Sequence, residues 1–329
     1  MVVKNPRIIT RGVQKRKSLA IGPQLSNMPS WNWVGEDTAK EMEKYYNVTR
    51  FKSLDNIPQS DYLMLVKHPI RKIPIEKIKL RQTKIIYCPI DFYHDPEQLH
   101  QDRNFLAGCN AIALHCERWM LHFKKYNSNL FFVEHHGKYT LNSINEYKKD
   151  GFVLWIGSFQ YVPFLINYIG KNDIKYEIVI CTDTNNERAK SGALKLSREL
   201  NISLNISKDK NFINEIKTYT WSEQTQKDLM LKCKAAIDVK STTHFSQSHK
   251  PPTKAQKYIS SGIPFAINKE SYSYDYFDSR GLVLAEPHDT EKLFSESYWK
   301  EINNYAKELR KKITLENVGL NYKEIYEKS

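Results

Sequence analysis

The chain has no apolar run approaching the ~20 residues that a bilayer-spanning helix needs, and its first residues lack the roughly 7–15-residue apolar stretch of a secretory signal. Membrane spanning and export are therefore not expected, and a cytoplasmic location is. Cysteine is sparse. Cys88, Cys109, Cys116, Cys181 and Cys233 are odd in number and irregular in spacing, and several sit in apolar strand-like runs. They read as reduced, buried thiols and not as a disulfide framework. Glycine-rich phosphate loops are also missing. With no G-x-G-x-x-G after an opening strand and no G-x-x-x-x-G-K-[ST], a dinucleotide oxidoreductase or P-loop enzyme is not expected. Gly157-Ser158-Phe159 does not complete the G-x-S-x-G elbow of a serine hydrolase. Cys109, His115, Cys116 and His122 match no usual zinc spacing, so no metal or other cofactor is expected.

Acidic side chains are the minority: 37 against 50 lysines and arginines, a net charge of +13 over 329 residues. The length fits two domains of roughly 150 residues each. The charge implies an anionic partner, which could be nucleic acid, a membrane surface or a phosphate-bearing substrate. Nucleic acid ranks lowest, because the lysines are scattered and not gathered in an aromatic-interleaved patch. Lys4, Arg7, Arg11, Lys15, Arg16 and Lys17 precede the first acidic residue, Glu36. That stretch could rest on anionic lipid headgroups at about 1 kcal/mol per cation; a solvated tail explains it equally well.

Short apolar runs alternate with helical patterns. Strands are expected at 17–21, 62–67, 84–88, 111–115, 130–134, 152–156, 176–181, 216–220, 235–239, 264–267 and 282–284. Helices are expected within 31–46, opening near Gly35-Glu36-Asp37, from a start at Asp95-Pro96-Glu97 through Leu106, and at 117–126. Further helices are expected at 161–169, 186–200, 224–233, 253–261 and 272–277. Such alternation predicts an α/β protein of two doubly wound, Rossmann-like domains. The polar segment 142–150 sets the boundary, giving an acceptor-side domain at 1–148 and a donor-side domain at 149–329. Ligands of such sheets sit outside the carboxyl ends of the strands, so the loops after strands hold the candidates.

The richest of these is the stretch from His249 to Glu286. Pro251 and Pro252 suit a loop and a first helical turn, and Gly262 a helix end. Ala255, Tyr258 and Ile259 share one face, so Lys254 and Lys257 project together from another. With Lys250 and Thr253 at the helix start, cations and free amides converge as they do around a diphosphate. A solvated lysine face is the plainer alternative. Asp91 and His94 share a post-strand loop, where the carboxylate could orient the imidazole or both could belong to a helix start. His135 and His136 precede the linker, at the mouth of the expected cleft. Gly157 and Ser158 follow a buried strand, where a glycine admits a phosphate or makes a tight turn. Trp221 either stacks on a flat base or packs.

These segments together resemble the GT-B glycosyltransferases, in particular the retaining, nucleotide-sugar-dependent group 1 (family 4-like) enzymes. Lys254-Ala-Gln-Lys257-Tyr258-Ile-Ser-Ser-Gly262-Ile-Pro264 is similar to their Lys-x-x-Glu-Tyr-x-x-x-Gly-x-Pro segment, and Val153-Leu-Trp-Ile-Gly157 to their second-domain opening strand. Asp91-Phe-Tyr-His94, Phe132-Val-Glu-His135-His136-Gly137, Trp221-Ser222 and Ala-Ala-Ile-Asp238 resemble other family landmarks in the same order. The resemblance implies sugar transfer from a nucleotide-diphosphate donor, without a metal, to a glycan, glycolipid or protein hydroxyl. It implies donor binding by Gly157, Ser158, Trp221, Lys250, Thr253, Lys254 and Lys257, catalysis by His94 with Asp91, and acceptor or cleft roles for His135 and His136. One departure stands out: the family's ribose-binding glutamate is replaced by Lys257. A noncatalytic glycan- or partner-binding protein of the same fold is the rival expectation.

Overall fold

The computed structural model describes residues 16–329 apart from 25–27, 29, 72–74 and 242. The basic stretch suggested for lipid contact lies, up to Lys15, outside the described residues. No described helix is long and apolar enough to cross a membrane.

The first sheet contains β1 (Ser18–Gly22), β2 (Asn47–Arg50), β3 (Tyr62–Val66), β4 (Lys84–Cys88), β5 (Ala111–Leu114) and β6 (Leu130–Phe132), in the order β2-β1-β3-β4-β5-β6. All its pairings are parallel. Every residue of β3 and β5 is buried, as expected of strands covered by helices on both faces. The second sheet is built from β7 (Val153–Ile156), β8 (Ile178–Thr182), β9 (Phe212–Ile213), β10 (Ile216–Thr220), β11 (Ala235–Asp238) and β12 (Phe265–Ile267). Its order is β12-β11-β7-β8-β10-β9. Here only the short edge pair β9–β10 runs antiparallel. The chain builds outward from β7 through β8 and then returns to add β11 on the other side of β7. That reversal opens a crevice between the loops after β7 and β11, the place where open α/β sheets bind ligands.

Several expected elements shift. The helix expected to start at Asp95-Pro96-Glu97 and run through Leu106 is split into Pro96–Gln101 and Arg103–Gly108. Asp95 caps the first piece by accepting from Gln98 N at 2.9 Å. The break falls at Asp102, whose carboxylate is held by Arg71. The helix expected to open near Gly35 begins earlier, as a wide π-turn over Trp31–Glu36 that runs into Asp37–Met42. Gly35 permits this, since a Cβ there would stand 2.3 Å from the Trp31 ring. The strand expected at 282–284 reduces to one bridge, Ala266 to Ala285, because the run is confined between Gly281 at φ +83° and Pro287. β2 carries little apolar pattern and escapes the sequence reading.

Chain position and lobe membership part at the C-terminus. Val318, Tyr322, Ile325 and Tyr326 make one apolar face of the helix Leu315–Lys328, at spacings that return to the same side every turn. That face packs with Leu19, Tyr46, Tyr62 and Met64 on the first lobe. Residues 315–328 thus belong by packing to the first lobe, although the sequence reading assigned 149–329 to the second.

Candidate functional site

The helix Thr253–Ser260 follows the crevice edge and buries Ala255, Tyr258 and Ile259 against the second sheet, with Tyr258 stacked on Phe265 at 5.4 Å. Pro252 stands at its N-cap with no side-chain cap, and its first internal bond is Gln256 N–H to Pro252 C=O at 2.9 Å. The preceding amides therefore have no capping side chain, and the positive end of the helix points at whatever fills the crevice. Gly262, at φ +71°, ends the helix against the interlobe linker, where a Cβ would lie 2.4 Å from Ile144 Cγ2.

The crevice is a cavity of 260 Å³ between the lobes. Lys240, Lys250, Lys254 and Lys257 line it, opposed by Asp91 and Asp238. Asp238 ends β11 fully buried, with Lys254 Nζ at 2.9 Å from Oδ1. Lys240 Nζ lies 2.7 Å from Oδ2, close enough for an ion pair although out of line for a hydrogen bond. The two ammonium groups hold the Asp238 carboxyl below its usual range against the opposing effect of burial. Lys250 reaches across the lobes to Asp91 Oδ2 at 3.0 Å. Lys257 has no carboxylate. Its Nζ donates to Gln226 Oε1 at 3.1 Å, and the Tyr139 ring centroid lies 5.6 Å away. Gln226 is locked in place, accepting also from Trp221 Nε1 at 3.1 Å and donating to Tyr139 O at 3.0 Å. Burial pushes Lys254 and Lys257 down to about 8. Both keep partial solvent access because their ammonium groups open into the cavity, while protein surrounds them on the other sides.

On the first lobe, His135 lines the cavity with its Nδ1 buried and without a hydrogen-bond partner. Its ring stacks on His115 at 4.2 Å and meets Trp33 edge-on at 5.7 Å. Burial, followed by the neighbouring His115 and His136, holds His135 well below the usual histidine range, so it is neutral near pH 7.

The structure thus brings together Asp91, Ser158, Lys250, Thr253, Lys254, Lys257 and His135. Others stand apart. His94 is exposed and outside the cavity lining, its backbone N–H bonded to Gln98 Oε1 at 2.8 Å. Asp91 pairs with Lys250 and does not orient His94, since Asp95 draws the loop after Phe92 into a helix start. His136 also leaves the cavity, with Nε2 at 3.1 Å from Asp37 Oδ2. Gly157 spends its amide on Cys181 O at 3.2 Å. Its hydrogen matters by clearance: a Cβ there would meet the Trp155 ring at 2.5 Å and Lys254 Nζ at 2.9 Å. Trp221 is 41% exposed and borders Lys257 through Gln226, outside the cavity itself. Sequence reading missed Asp238 and Lys240 as site residues, although an acid closing the apolar run Ala-Ala-Ile was a usable signal. Ser30 and Trp33 gave none, because they reach the cavity from a turn that sequence pattern does not place. Among the described residues no group of three or more His, Cys, Asp and Glu is arranged to hold a metal ion.

No family model matches the chain and no curated protein matches it. Solved structures do. The chain is similar to AviGT4, a glycosyltransferase involved in avilamycin A biosynthesis, at TM-score 0.55 and 10% identity over 95% of this chain and 97% of that one. A glycosyltransferase from Rickettsia africae ESF-5 gives TM-score 0.55 and 10% identity over 95% and 98% of the two chains. The GtfA/B complex gives 0.51 and 11% over 81% of this chain, which spans 56% of that one. At such identities the likeness is one of fold, and the fold is GT-B: two Rossmann-like lobes facing across a cleft.

Proposed function

We propose that the protein is a glycosyltransferase that moves a sugar from a nucleotide-diphosphate donor to a hydroxyl acceptor. One observation carries the reading: four lysines face two carboxylates around an uncapped helix start, at the strand-order reversal of the second sheet. A cationic surplus aimed by a helix dipole into a partly desolvated crevice suits a diphosphate. In this reading Lys250, Lys254 and the amides near Thr253 neutralise charge growing on the leaving diphosphate, an electrostatic contribution of several kcal/mol. Lys240 and Asp238 hold Lys254 in place, Ser158 hydrogen-bonds the phosphate side, and Trp221 borders the base. His135 takes the part first expected of His94. Its neutral ring borders the space that a sugar or acceptor hydroxyl would occupy, and Asp91 gives up Lys250 as the anion arrives. The cavity is smaller than the roughly 300 Å³ at which small-molecule pockets begin, so a whole donor enters with the lobes further apart.

A thermal-shift screen over common sugar nucleotides and free nucleotide diphosphates tests this. A ligand of the site raises the melting temperature of the native protein in proportion to the logarithm of its excess over Kd, and Lys254→Ala abolishes the rise. Absence of any response sinks the transferase reading. It would leave the noncatalytic glycan- or partner-binding protein, which Lys257, a cation facing neutral Gln226, independently favours.

A further inference from the structure

A second groove, of 470 Å³, opens on the first lobe beyond the carboxyl ends of β1, β2, β3 and β4. It adjoins the interlobe cavity through a single loop: Ile90 and Asp91 line the cavity, and Phe92 lines the groove. Ile90 holds φ at +48°, a rare conformation for a β-branched residue, and this turn sends its two successors to different walls.

The groove has a built floor. Arg71 places its guanidinium 5.4 Å from the Phe92 ring centroid, and His68 meets the same ring edge-on at 5.3 Å. Arg71 is fixed from behind: Nε and Nη2 each donate to Asp102 at 2.8 Å, and Tyr93 OH donates to Asp102 Oδ2 at 3.1 Å. The Asp102 side chain is 4% exposed and the Arg71 side chain 53%. A guanidinium carries five N–H donors. Asp102 takes two, so the outward end of a rigid, exposed fork is left facing solvent. Lys52 adds a second cation to the rim, while Asp55 accepts from the Ser53 hydroxyl at 3.2 Å. Burial and then the nearby Lys67 and Arg71 keep His68 below its ordinary range, a neutral hydrogen-bonding group near pH 7.

An aromatic ring flanked by polar donors matches a pyranose, whose C–H face is apolar and whose rim is hydroxylated. A preorganised guanidinium fork matches a carboxylate. We propose that this groove is the acceptor subsite and that it takes a sugar residue bearing an acidic group, with the ring against Phe92 and the acid on Arg71. The word acceptor rests on the glycosyl-transfer reading; the preference for an acidic sugar does not.

The test compares binding of 4-nitrophenyl glucuronide and 4-nitrophenyl glucoside, which differ only in a carboxylate against a hydroxymethyl group, to the full chain by calorimetry. The glucuronide is expected to bind about tenfold tighter, the value of one charge-assisted hydrogen bond. Arg71→Gln removes the difference, and Phe92→Leu weakens both ligands alike. Should Arg71→Gln fail to fold because Asp102 is stranded, the double change Arg71→Gln with Asp102→Asn replaces it. Equal binding of the two probes by the native protein, or a preference that survives the Arg71 change, overturns the proposal. Nucleotide diphosphate binding is read in the same samples and is unaffected by the groove variants. If Lys254-dependent nucleotide binding is absent from the native protein, the acceptor role falls with the transferase reading, while the two probes still decide the acidic-sugar site.

Discussion

At the scale of single residues, Lys257 and Lys254 set how the cavity answers to pH. Both ammonium groups sit at about 8, below the ordinary lysine range because burial disfavours the charged form. Below that value they are cationic and hold an anion; above it they are neutral. A nucleotide diphosphate is already fully ionised above pH ~7. Its affinity is therefore expected to fall as pH rises through 8, and calorimetric titrations at pH 7 and above 9 check this. Lys257→Gln should flatten part of that fall, since Lys257 has no carboxylate to hold its proton. Gly262 offers a second test. At φ +71°, and with Ile144 Cγ2 at 2.4 Å and Asn145 N at 3.0 Å from a would-be Cβ, alanine meets both a backbone penalty and a clash. Gly262→Ala should cost at least about 1 kcal/mol in chemical denaturation.

Elements carry the contact between the lobes. Glu134 follows β6 and is 5% exposed, accepting from Gln256 Nε2 at 2.7 Å and Tyr276 OH at 2.6 Å, with Lys312 Nζ at 2.7 Å from Oε1. Arg118 crosses in the same direction, reaching Asp275 at 2.6 Å and the backbone carbonyls of Ser248 and Glu270. Glu134→Ala strands three polar partners and should cost about 3 kcal/mol, with a larger radius of gyration in solution scattering as the lobes part. An unchanged radius would mean that the remaining contacts between the lobes, Arg118 with Asp275 and Lys250 with Asp91 among them, suffice. Elements also show where sequence legibility ends. β3, β4, β7, β8 and β11 were readable because a strand covered on both faces must be apolar throughout, and Thr253–Ser260 because Pro252 and Gly262 bracket it. β2 alternates exposed and half-buried residues at a sheet edge, so it left no apolar signature. Asp91 lines the cavity but with a partner that local sequence does not indicate: His94 stands three residues away, whereas Lys250 arrives from another lobe.

For the whole molecule, the neutral histidines under the cleft make stability sensitive to acid. Burial pushes His115 down to about 4, and His135 is also held well below its ordinary value. The unfolded chain binds these protons from about pH 6.5 downward and the folded chain does not, so stability is present above that pH and drains away toward pH 4. His115 alone accounts for about 3 kcal/mol of that loss. Melting temperatures from pH 7 to pH 4 should fall, and a His115→Gln, His135→Gln double variant should fall less. The two-lobed plan itself was legible, since it needs only alternating periodicities. The return of residues 315–328 was not, because an amphipathic face says that it must be covered and never by what.

That return has a mechanical result. The chain passes between the lobes once in the 142–150 segment and again near Ile313, whose carbonyl accepts from Gly137 N at 2.7 Å. Two passages lying side by side act as a spine. They favour a swing of the halves over sliding or twisting, and the Asp91–Lys250 pair is among the contacts such a swing would have to break.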